Sequence, residues 1–310
     1  MTGALQGFYQ NFRSFAVAAV EAVVTGNKAI FGYGTPSAFT NITNLVSNTG
    51  VVATDTTGVG TARGSLAAAG YGTDKAIFGY GTTGSNRSMT NLVTNTGVVG
   101  TDVTGVGTAR QGLAAAGYGT DKAIFGFGFS TVHSNITNLV SNTGVVANDV
   151  SGIGTSRSFL AAANYGGDKA IFGYGNSPGR VSITNLVSNT GVVATDTTGV
   201  GTARNNVAAA GYGTDKAIFG YGNPSAGAWT AITNLVSNTG VVATDTTGVG
   251  TARSDLAAAG YGTDKAIFGY GSNGSGAKSM TNLVSNTGVV ATDTTGVGTV
   301  RGSLAAASFG

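Results

Sequence analysis

Asp74-Lys75-Ala76-Ile77-Phe78-Gly79-Tyr80-Gly81 is a stretch that returns, little changed, along most of the chain. Its Lys-Ala-Ile-Phe-Gly core occurs six times, with four spacings of 47 residues and a last one of 49. The lysines of these copies are Lys28, Lys75, Lys122, Lys169, Lys216 and Lys265. A fixed period of about 20–50 residues is typical of solenoids, propellers and repeat arrays. We therefore expect one body of six units over residues 28–310, with residues 1–27 as an N-terminal arm outside the period.

The units themselves are predicted to be all-β. In the second unit, turn residues that tolerate positive φ separate four short apolar segments. The turns are Gly72-Thr73-Asp74 and Asn95-Thr96-Gly97, and the segments are Leu66–Tyr71, Lys75–Tyr80, Ser88–Val93 and Val98–Thr104. Strands of this length joined at such short intervals indicate a β-sheet protein.

Both faces of the second segment look buried, which is the pattern of a sheet packed between two others. Ala76, Phe78 and Tyr80 would lie on one face, and Ile77 and Gly79 on the other. Glycines opposite aromatic rings let neighbouring sheets approach closely, as in the tapering interior of a propeller. Four strands per unit make one blade, so we predict a six-bladed β-propeller of four-stranded blades.

The repeat resembles that of the kelch family. The similarity lies in Arg63, the following Leu66-Ala67-Ala68-Ala69, a turn, and the apolar strand ending in Gly79-Tyr80-Gly81, and it extends over all six units. It implies that the first strand of each blade, Leu66–Tyr71 in the second unit, lies innermost. The sequence of the repeat is also similar to glycine-rich repeats of tail or virion proteins of aquatic bacteriophages. This second resemblance implies a virion or extracellular location.

On that frame the ends of the chain must share one blade. The unit that begins at Lys28 lacks an innermost strand, while the C-terminal segment 301–310 is such a strand with no blade of its own. We expect the C-terminal strand to complete the first blade and so remove exposed edges. Residues 20–27, which also precede Lys28, are the alternative.

Composition excludes several functions. Only 9% of the residues are charged, and the chain has one His, one Glu and no Cys, so neither a disulfide framework nor a cysteine metal site can form. We expect no catalytic residues, no metal and no cofactor, and therefore no enzyme. The net charge of +3 is small and dispersed along the chain, so it does not predict a nucleic-acid-binding surface. The longest apolar run, residues 15–24, is short and contains Glu21, so no membrane span is expected.

Two repeated ionisable positions could form rings of charge. An aspartate recurs as Asp55, Asp102, Asp149, Asp196, Asp245 and Asp293, and an arginine as Arg63, Arg110, Arg157, Arg204, Arg253 and Arg301. A carboxylate ring could hold a hard cation. Because acid and base recur in equal number, pairing of each Asp with an Arg, or capping of a turn, is the favoured interpretation.

The units differ most from one another at two places. One is the loop after each Gly-Tyr-Gly, and the other is the residue pair after each repeated arginine, as in Gly64-Ser65. In a four-stranded meander both places lie at the same edge of the blade, so the variable residues should collect on one face. The candidate ligand-binding residues are aromatic side chains for stacking and cations for anionic groups: Arg87, Phe129, His133, Arg180, Trp229 and Lys278. The alternative is that these loops merely tolerate change, as surface loops do.

Matches to phosphate-binding and nucleophile motifs occur, but the strand-to-helix setting that such motifs require is not predicted around them. Gly79–Gly84 matches Gly-x-Gly-x-x-Gly, but a strand follows it where the phosphate site needs a helix N-terminus. We expect a non-enzymatic structural or host-recognition component of a phage virion or tail, with residues 1–24 docking on other virion proteins. The alternative is a free lectin-like propeller that binds a cell-surface glycan through the variable face.

Overall fold

The computed structural model describes residues 27–310, so the expected N-terminal docking segment, residues 1–24, lies outside the described residues. Within residues 27–310 every named secondary-structure element is a β-strand. The main strands form six three-stranded antiparallel sheets. The chain is thus all-β over this range, as predicted. Two of the loops add a two-stranded hairpin each, Asn176–Ser177 with Gly179–Arg180 and Ser272–Asn273 with Gly276–Ala277.

Each sheet has a first, a second and a third strand, named in the order of the repeat. The first strands are Ala67–Tyr71, Ala114–Tyr118, Ala161–Tyr165, Ala208–Tyr212, Ala257–Tyr261 and Ala305–Phe309. The second strands are Lys75–Gly79, Lys122–Phe129, Lys169–Gly173, Lys216–Gly220, Lys265–Gly269 and Lys28–Gly32. The third strands are Thr90–Val93, His133–Val140, Thr184–Val187, Thr233–Val236, Thr281–Val284 and Thr43–Val46.

The second strand is the middle of each sheet. In the second unit Gly79 is opposite Ala67 of the first strand and Thr90 of the third. Every residue of this strand after Lys75 is buried, which agrees with the expectation that both of its faces are covered.

The fourth segment of the unit is bridged to the sheet at two points and forms no ladder of its own. Val99 is bridged to Val93, and Val103 to Thr90. The two bridged residues are four positions apart on the fourth segment but three apart on the third strand, so the two segments do not pair in a regular register. The side chain of Asn91 also donates a hydrogen bond of 3.0 Å to the Gly100 carbonyl, which takes the place of a backbone partner. The expected strand Val98–Thr104 is therefore reduced to isolated bridges.

The second strand stops one residue earlier than expected because of backbone geometry. Tyr80 has a φ of 62°, in the left-handed region that side chains rarely adopt. Gly81 follows with a φ of 96°, and a Cβ there would lie 2.7 Å from the Gly64 carbonyl oxygen. The Gly79-Tyr80-Gly81 stretch is thus a turn out of the strand that only glycine can complete.

Neighbouring sheets pack through glycine and aromatic rings. A Cβ on Gly79 would lie 2.6 Å from Cζ of Phe125, which belongs to the next sheet along the chain. The ring of Phe125 also meets Tyr80 edge to face, with ring centroids 5.1 Å apart. Similar contacts join other sheets, so the glycine lets the aromatic ring of one sheet enter the surface of another.

The ends of the described chain meet in one sheet. Ala305–Phe309 pairs antiparallel with Lys28–Gly32, and Lys28 lies opposite Phe309. The same C-terminal strand contacts the first strands Ala67–Tyr71 and Ala257–Tyr261 of two other sheets. The C-terminal strand thus occupies the place for which residues 20–27 were the alternative, and residues 20–26 lie outside the described range.

Candidate binding surfaces

The two variable parts of each unit lie together, at what is called here the variable end of the sheets. The first residue of each variable pair forms an isolated bridge with the first residue of a variable loop. These bridges are Gly64–Thr82, Gln111–Phe129, Ser158–Asn176, Asn205–Asn223, Ser254–Ser272 and Gly302–Thr35. Because the first and second strands are antiparallel, the start of one and the end of the other fall at the same edge.

Backbone hydrogen bonds connect the six units at the variable end. The second residue of each variable pair has a positive φ of 50–58° and donates its N–H to the carbonyl of the corresponding residue in another unit. The six hydrogen bonds, 2.6–3.3 Å long, run in the order Gly112 to Ser65, Phe159 to Gly112, Asn206 to Phe159, Asp255 to Asn206, Ser303 to Asp255 and Ser65 to Ser303. These residues surround a cavity of about 70 Å³. All six variable pairs therefore face the same side.

The variable loops lean on one another. The side-chain amide of Asn86 donates to the carbonyl oxygens of Phe129 at 3.2 Å and Ser130 at 2.9 Å, both in the next unit. In the same way Nε of Arg180 donates to the carbonyl of Asn223 at 2.9 Å. These contacts join the loop of the second unit to the third unit and that of the fourth to the fifth.

The predicted site residues lie on this surface, spread over different loops. Phe129 and His133 are brought together, with ring centroids 5.5 Å apart, because they pair across the extended hairpin of the third unit. Nδ1 of His133 also lies 3.0 Å from Oγ of Ser158. Trp229 is half-buried, and a Cβ on Gly274 of the following loop would lie 3.1 Å from its ring.

The predicted cations are each held by their own loop or the next one. Nε of Arg87 donates to Oγ1 of Thr83 at 3.0 Å, and Nζ of Lys278 donates to Oγ of Ser275 at 2.8 Å. Both side chains are half-buried, as is Arg180. The structure does not gather the three cations into one cluster, so any ligand they contact must extend across several loops.

The repeated arginines are buried and fully engaged. Arg63 has no exposed surface, and its Nε donates to the Tyr80 carbonyl at 2.8 Å while a terminal nitrogen donates to Oδ1 of Asn91 at 2.7 Å. Its guanidinium carbon lies 4.4 Å from the centroid of the Tyr33 ring, in the preceding sheet. Burial lowers the pKa of Arg63 and raises the pKa of Tyr33 to about 12. These positions hold the sheets together.

The repeated aspartates complete the same network. Asp102 accepts hydrogen bonds from the Thr61 N–H at 3.0 Å and from Nδ2 of Asn91 at 2.9 Å, and its Oδ1 lies 3.9 Å from Arg63. Partial burial would raise the pKa of Asp102, but the hydrogen bonds from Thr61 and Asn91 outweigh it and lower the pKa. The equivalent ion pairs are Arg157–Asp196, Arg204–Asp245 and Arg253–Asp293. Among residues 27–310, no three His, Asp or Glu side chains group as metal ligands would.

The sequence did not identify Asn91 as a partner of the repeated arginine and aspartate. Asn91 is completely buried in the third strand and links Arg63 to Asp102. The available signal was a polar residue repeated without change inside the apolar Thr-Asn-Leu-Val strand, since buried polar groups are almost always hydrogen-bonded.

A second cavity, of about 210 Å³, lies at the opposite end of the sheets, called here the constant end. There the repeated Gly-Thr-Asp turns join first and second strands, and the Gly72 N–H donates to the Asp121 carbonyl of the next unit at 2.7 Å. Equivalent hydrogen bonds join Gly119 to Asp168, Gly166 to Asp215, Gly213 to Asp264, Gly262 to Asn27 and Gly310 to Asp74. Residues from all six units line the cavity. Sequence reasoning did not predict it.

No protein-family model matches the chain, and a search of curated proteins finds no match. In the part of the chain that the structure describes, no helix is long and apolar enough to cross a membrane.

Proposed function

We propose that the protein is a non-enzymatic six-bladed β-propeller that acts as a structural or host-recognition component of a phage virion or tail. In this proposal it presents its variable loops on one face. The observation that carries it is the separation of a repeated framework from the variable end, where the differing loops and residue pairs of all six units lie together. A rigid frame that holds differing loops is a common design for recognition.

The propeller architecture is supported by how the six sheets contact one another. Each first strand contacts the first strands of two other sheets, and following these contacts from Ala67–Tyr71 leads through all six sheets to Ala305–Phe309 and back. The backbone hydrogen bonds at both ends follow the same order. The bridges at Val99 and Val103 supply a rudimentary fourth strand. Kelch-like topology, with the first strand innermost, accounts for all of these contacts.

Interaction with other virion proteins through residues 1–24 is supported by the position of Asn27. Asn27 lines the cavity at the constant end, and so does Phe309, next to the C-terminus. Both ends of the described chain thus leave the variable end unobstructed. A protein attached through its N-terminal segment would have its variable loops directed away from the attachment. The virion setting itself rests on the resemblance of the repeat.

A lectin-like role is the second candidate, and Trp229 favours it. This tryptophan is half-buried, and its ring packs closely against Gly274, where an added Cβ would lie 3.1 Å from the ring. A partly exposed aromatic ring held in place by a neighbouring loop is a suitable platform for a sugar.

A glycan array probed with the labelled full-length protein separates the two roles. Selective binding that is lost in Trp229→Ala and kept in Lys216→Ala, at the constant end, supports the lectin. Absence of glycan binding, together with co-purification of the protein with other virion proteins, supports the structural role. If purified particles of the source phage lack the protein, the virion assignment is wrong.

A further inference from the structure

The cavity at the constant end has an unbalanced lining. Its ionisable lining, apart from tyrosines, consists of five lysines and one aspartate: Lys75, Lys122, Lys169, Lys216, Lys265 and Asp168. Each of these lysines has an aspartate before it in the chain, and the five ion pairs are 2.7–3.0 Å long. Four of the five carboxylates therefore lie outside the lining, each still paired with its lysine.

Hydrogen bonds from a neighbouring turn hold these carboxylates in place, and the carboxylate of Asp168, which does line the cavity, is held in the same way by Asn189. The second carboxylate oxygen of Asp121 accepts a hydrogen bond of 3.2 Å from the side chain of Asn142, and Asp215 accepts one of 3.1 Å from Asn238. The asparagines belong to the Asn-Thr-Gly turns after the third strands, and this anchors the carboxylates beside the turns while the lysines line the cavity. Since the lysine side chains are 43–45% exposed, their ion pairs are weak and their ammonium groups can be redirected at little cost.

Asn27 adds to the imbalance. It stands before Lys28 where the other units have aspartate, so the six repeated lysines face five aspartates at this end. Asn27 is itself part of the cavity lining.

Two units place polar side chains in the cavity where the others have glycine. Asn164 and Ser308 occupy the position of Gly70, Gly117, Gly211 and Gly260 in the first strands. Asn164 is exposed, and Ser308 donates its hydroxyl to the Gly260 carbonyl at 2.8 Å. Asn164 and Ser308 are three steps apart in the order of contacts between the six first strands, on opposite sides of the cavity. An amide and a hydroxyl there add hydrogen-bonding groups to the ammonium groups.

From these features we propose that the constant-end cavity binds a small multivalent anion that carries carboxylate or phosphate groups. The cavity volume of about 210 Å³ is many times the roughly 10–15 Å³ that a single water needs, so a ligand of several atoms fits. Several lysines whose ammonium groups can turn toward one space favour a ligand with more than one negative charge. This site lies at the opposite end from the variable loops and does not depend on the function proposed for them.

Isothermal titration of the full-length protein at low salt, with citrate and separately with inorganic phosphate, tests the proposal. We expect saturable binding with one site per chain, weakened by added salt because the ammonium groups are partly exposed. Lys169→Gln should weaken binding by roughly three- to tenfold, the effect of one ammonium group a few ångströms away in a partly solvated site. Asp168→Asn, which removes the carboxylate from the same ion pair, should strengthen it by a similar factor.

The two variants have opposite expected signs, which distinguishes a charge effect from damage to the fold. Val132→Gln, an exposed side chain in a variable loop, is the control and should leave binding unchanged. Binding of citrate alone, of phosphate alone or of both supports the proposal and identifies the chemistry of the ligand. Absence of saturable binding by either probe overturns it, as does a change of the same sign in Lys169→Gln and Asp168→Asn, or an equal loss in Val132→Gln.

Discussion

Arg63 stacks on the ring of Tyr33 in the preceding sheet, with its guanidinium carbon 4.4 Å from the ring centroid. The same contact recurs between each remaining pair of sheets: Arg110 on Tyr80, Arg157 on Phe127, Arg204 on Tyr174, Arg253 on Tyr221 and Arg301 on Tyr270. Arg63 donates to Tyr80 and Asn91 of its own sheet, so one side chain fastens two sheets. A buried cation is tolerated here because its donors are satisfied.

Removal of this cation should destabilise the fold severely. We expect Arg63→Met to lower the free energy of unfolding by about 3–5 kcal/mol, because Asn91 and the Tyr80 carbonyl lose a buried charged donor. Urea unfolding followed by circular dichroism measures the change. Arg87→Met, which removes a half-buried arginine with a hydrogen bond inside its own loop, is the control and should cost less than about 1 kcal/mol. Equal losses in the two variants would contradict this role of Arg63.

The glycine-to-aromatic packing predicts a similar contrast between two glycines. Gly79→Ala places a methyl group 2.6 Å from Cζ of Phe125, in a buried contact between sheets, and should cost about 1–3 kcal/mol. Gly179→Ala is the matched control, because nothing lies within 4 Å of its added methyl group, and it should change stability by less than about 0.5 kcal/mol. Thermal unfolding of both proteins provides the comparison. If Gly79→Ala unfolds at the same temperature as Gly179→Ala, the sheets do not depend on this close approach.

The aspartates of the buried network predict a loss of stability in acid. Their ordinary pKa is 3.8, and hydrogen bonding lowers it in Asp102 despite the opposing effect of partial burial. The pKa is likewise lowered in Asp55, Asp149, Asp196, Asp245 and Asp293. A group whose pKa is lower in the folded state stabilises the fold above its unfolded pKa. That stabilisation is lost as the pH falls below about 4.

Urea midpoints measured between about pH 7 and pH 2 test this expectation. Asp102→Asn should be less stable at neutral pH and should show a shallower decline in acid. Asp255 is the contrast, because burial raises its pKa against the hydrogen bonds from Ser254 and Ser272. Asp255→Asn should be more stable than the unaltered protein, and the difference should be larger at neutral pH than in acid. An identical decline in Asp102→Asn and the unaltered protein would exclude this network as the source of acid sensitivity.

The sequence predicted the strands well where turn residues delimit them. The Gly72-Thr73-Asp74 turn was recognisable because glycine and aspartate favour turns. The burial of both faces after Lys75 was recognisable because apolar residues and glycine lie on both sides of that strand. The fourth strand was predicted too strongly, since nothing in Val98–Thr104 indicates that the Asn91 side chain takes a carbonyl from the ladder.

The candidate surfaces were predicted less completely. Comparison between units located the variable residues, because sequence differences among copies are visible without a structure. It could not foresee that Asn86 or Arg180 would hydrogen-bond to the next unit, nor that the repeated lysines would line one cavity while their aspartates turn to Asn142 and Asn238. These contacts join residues 21 to 44 positions apart in the chain, within one unit or between successive units, and no local pattern reveals them.

The pairing of the two ends of the chain gives the last prediction. Truncation before Ala305 would leave Lys28–Gly32 without its partner and remove Phe309, whose side chain is 97% buried. The loss of a buried Phe alone costs about 3–5 kcal/mol, and the exposed strand edge adds a site for aggregation. We expect the truncated protein to lose cooperative unfolding, and a synthetic peptide of residues 301–310 added in trans to restore part of it. Deletion of Gly310 alone, which removes one backbone hydrogen bond to Asp74, is the control and should have a small effect. Cooperative unfolding at an unchanged midpoint after truncation would mean that the C-terminal strand does not hold the first sheet in place.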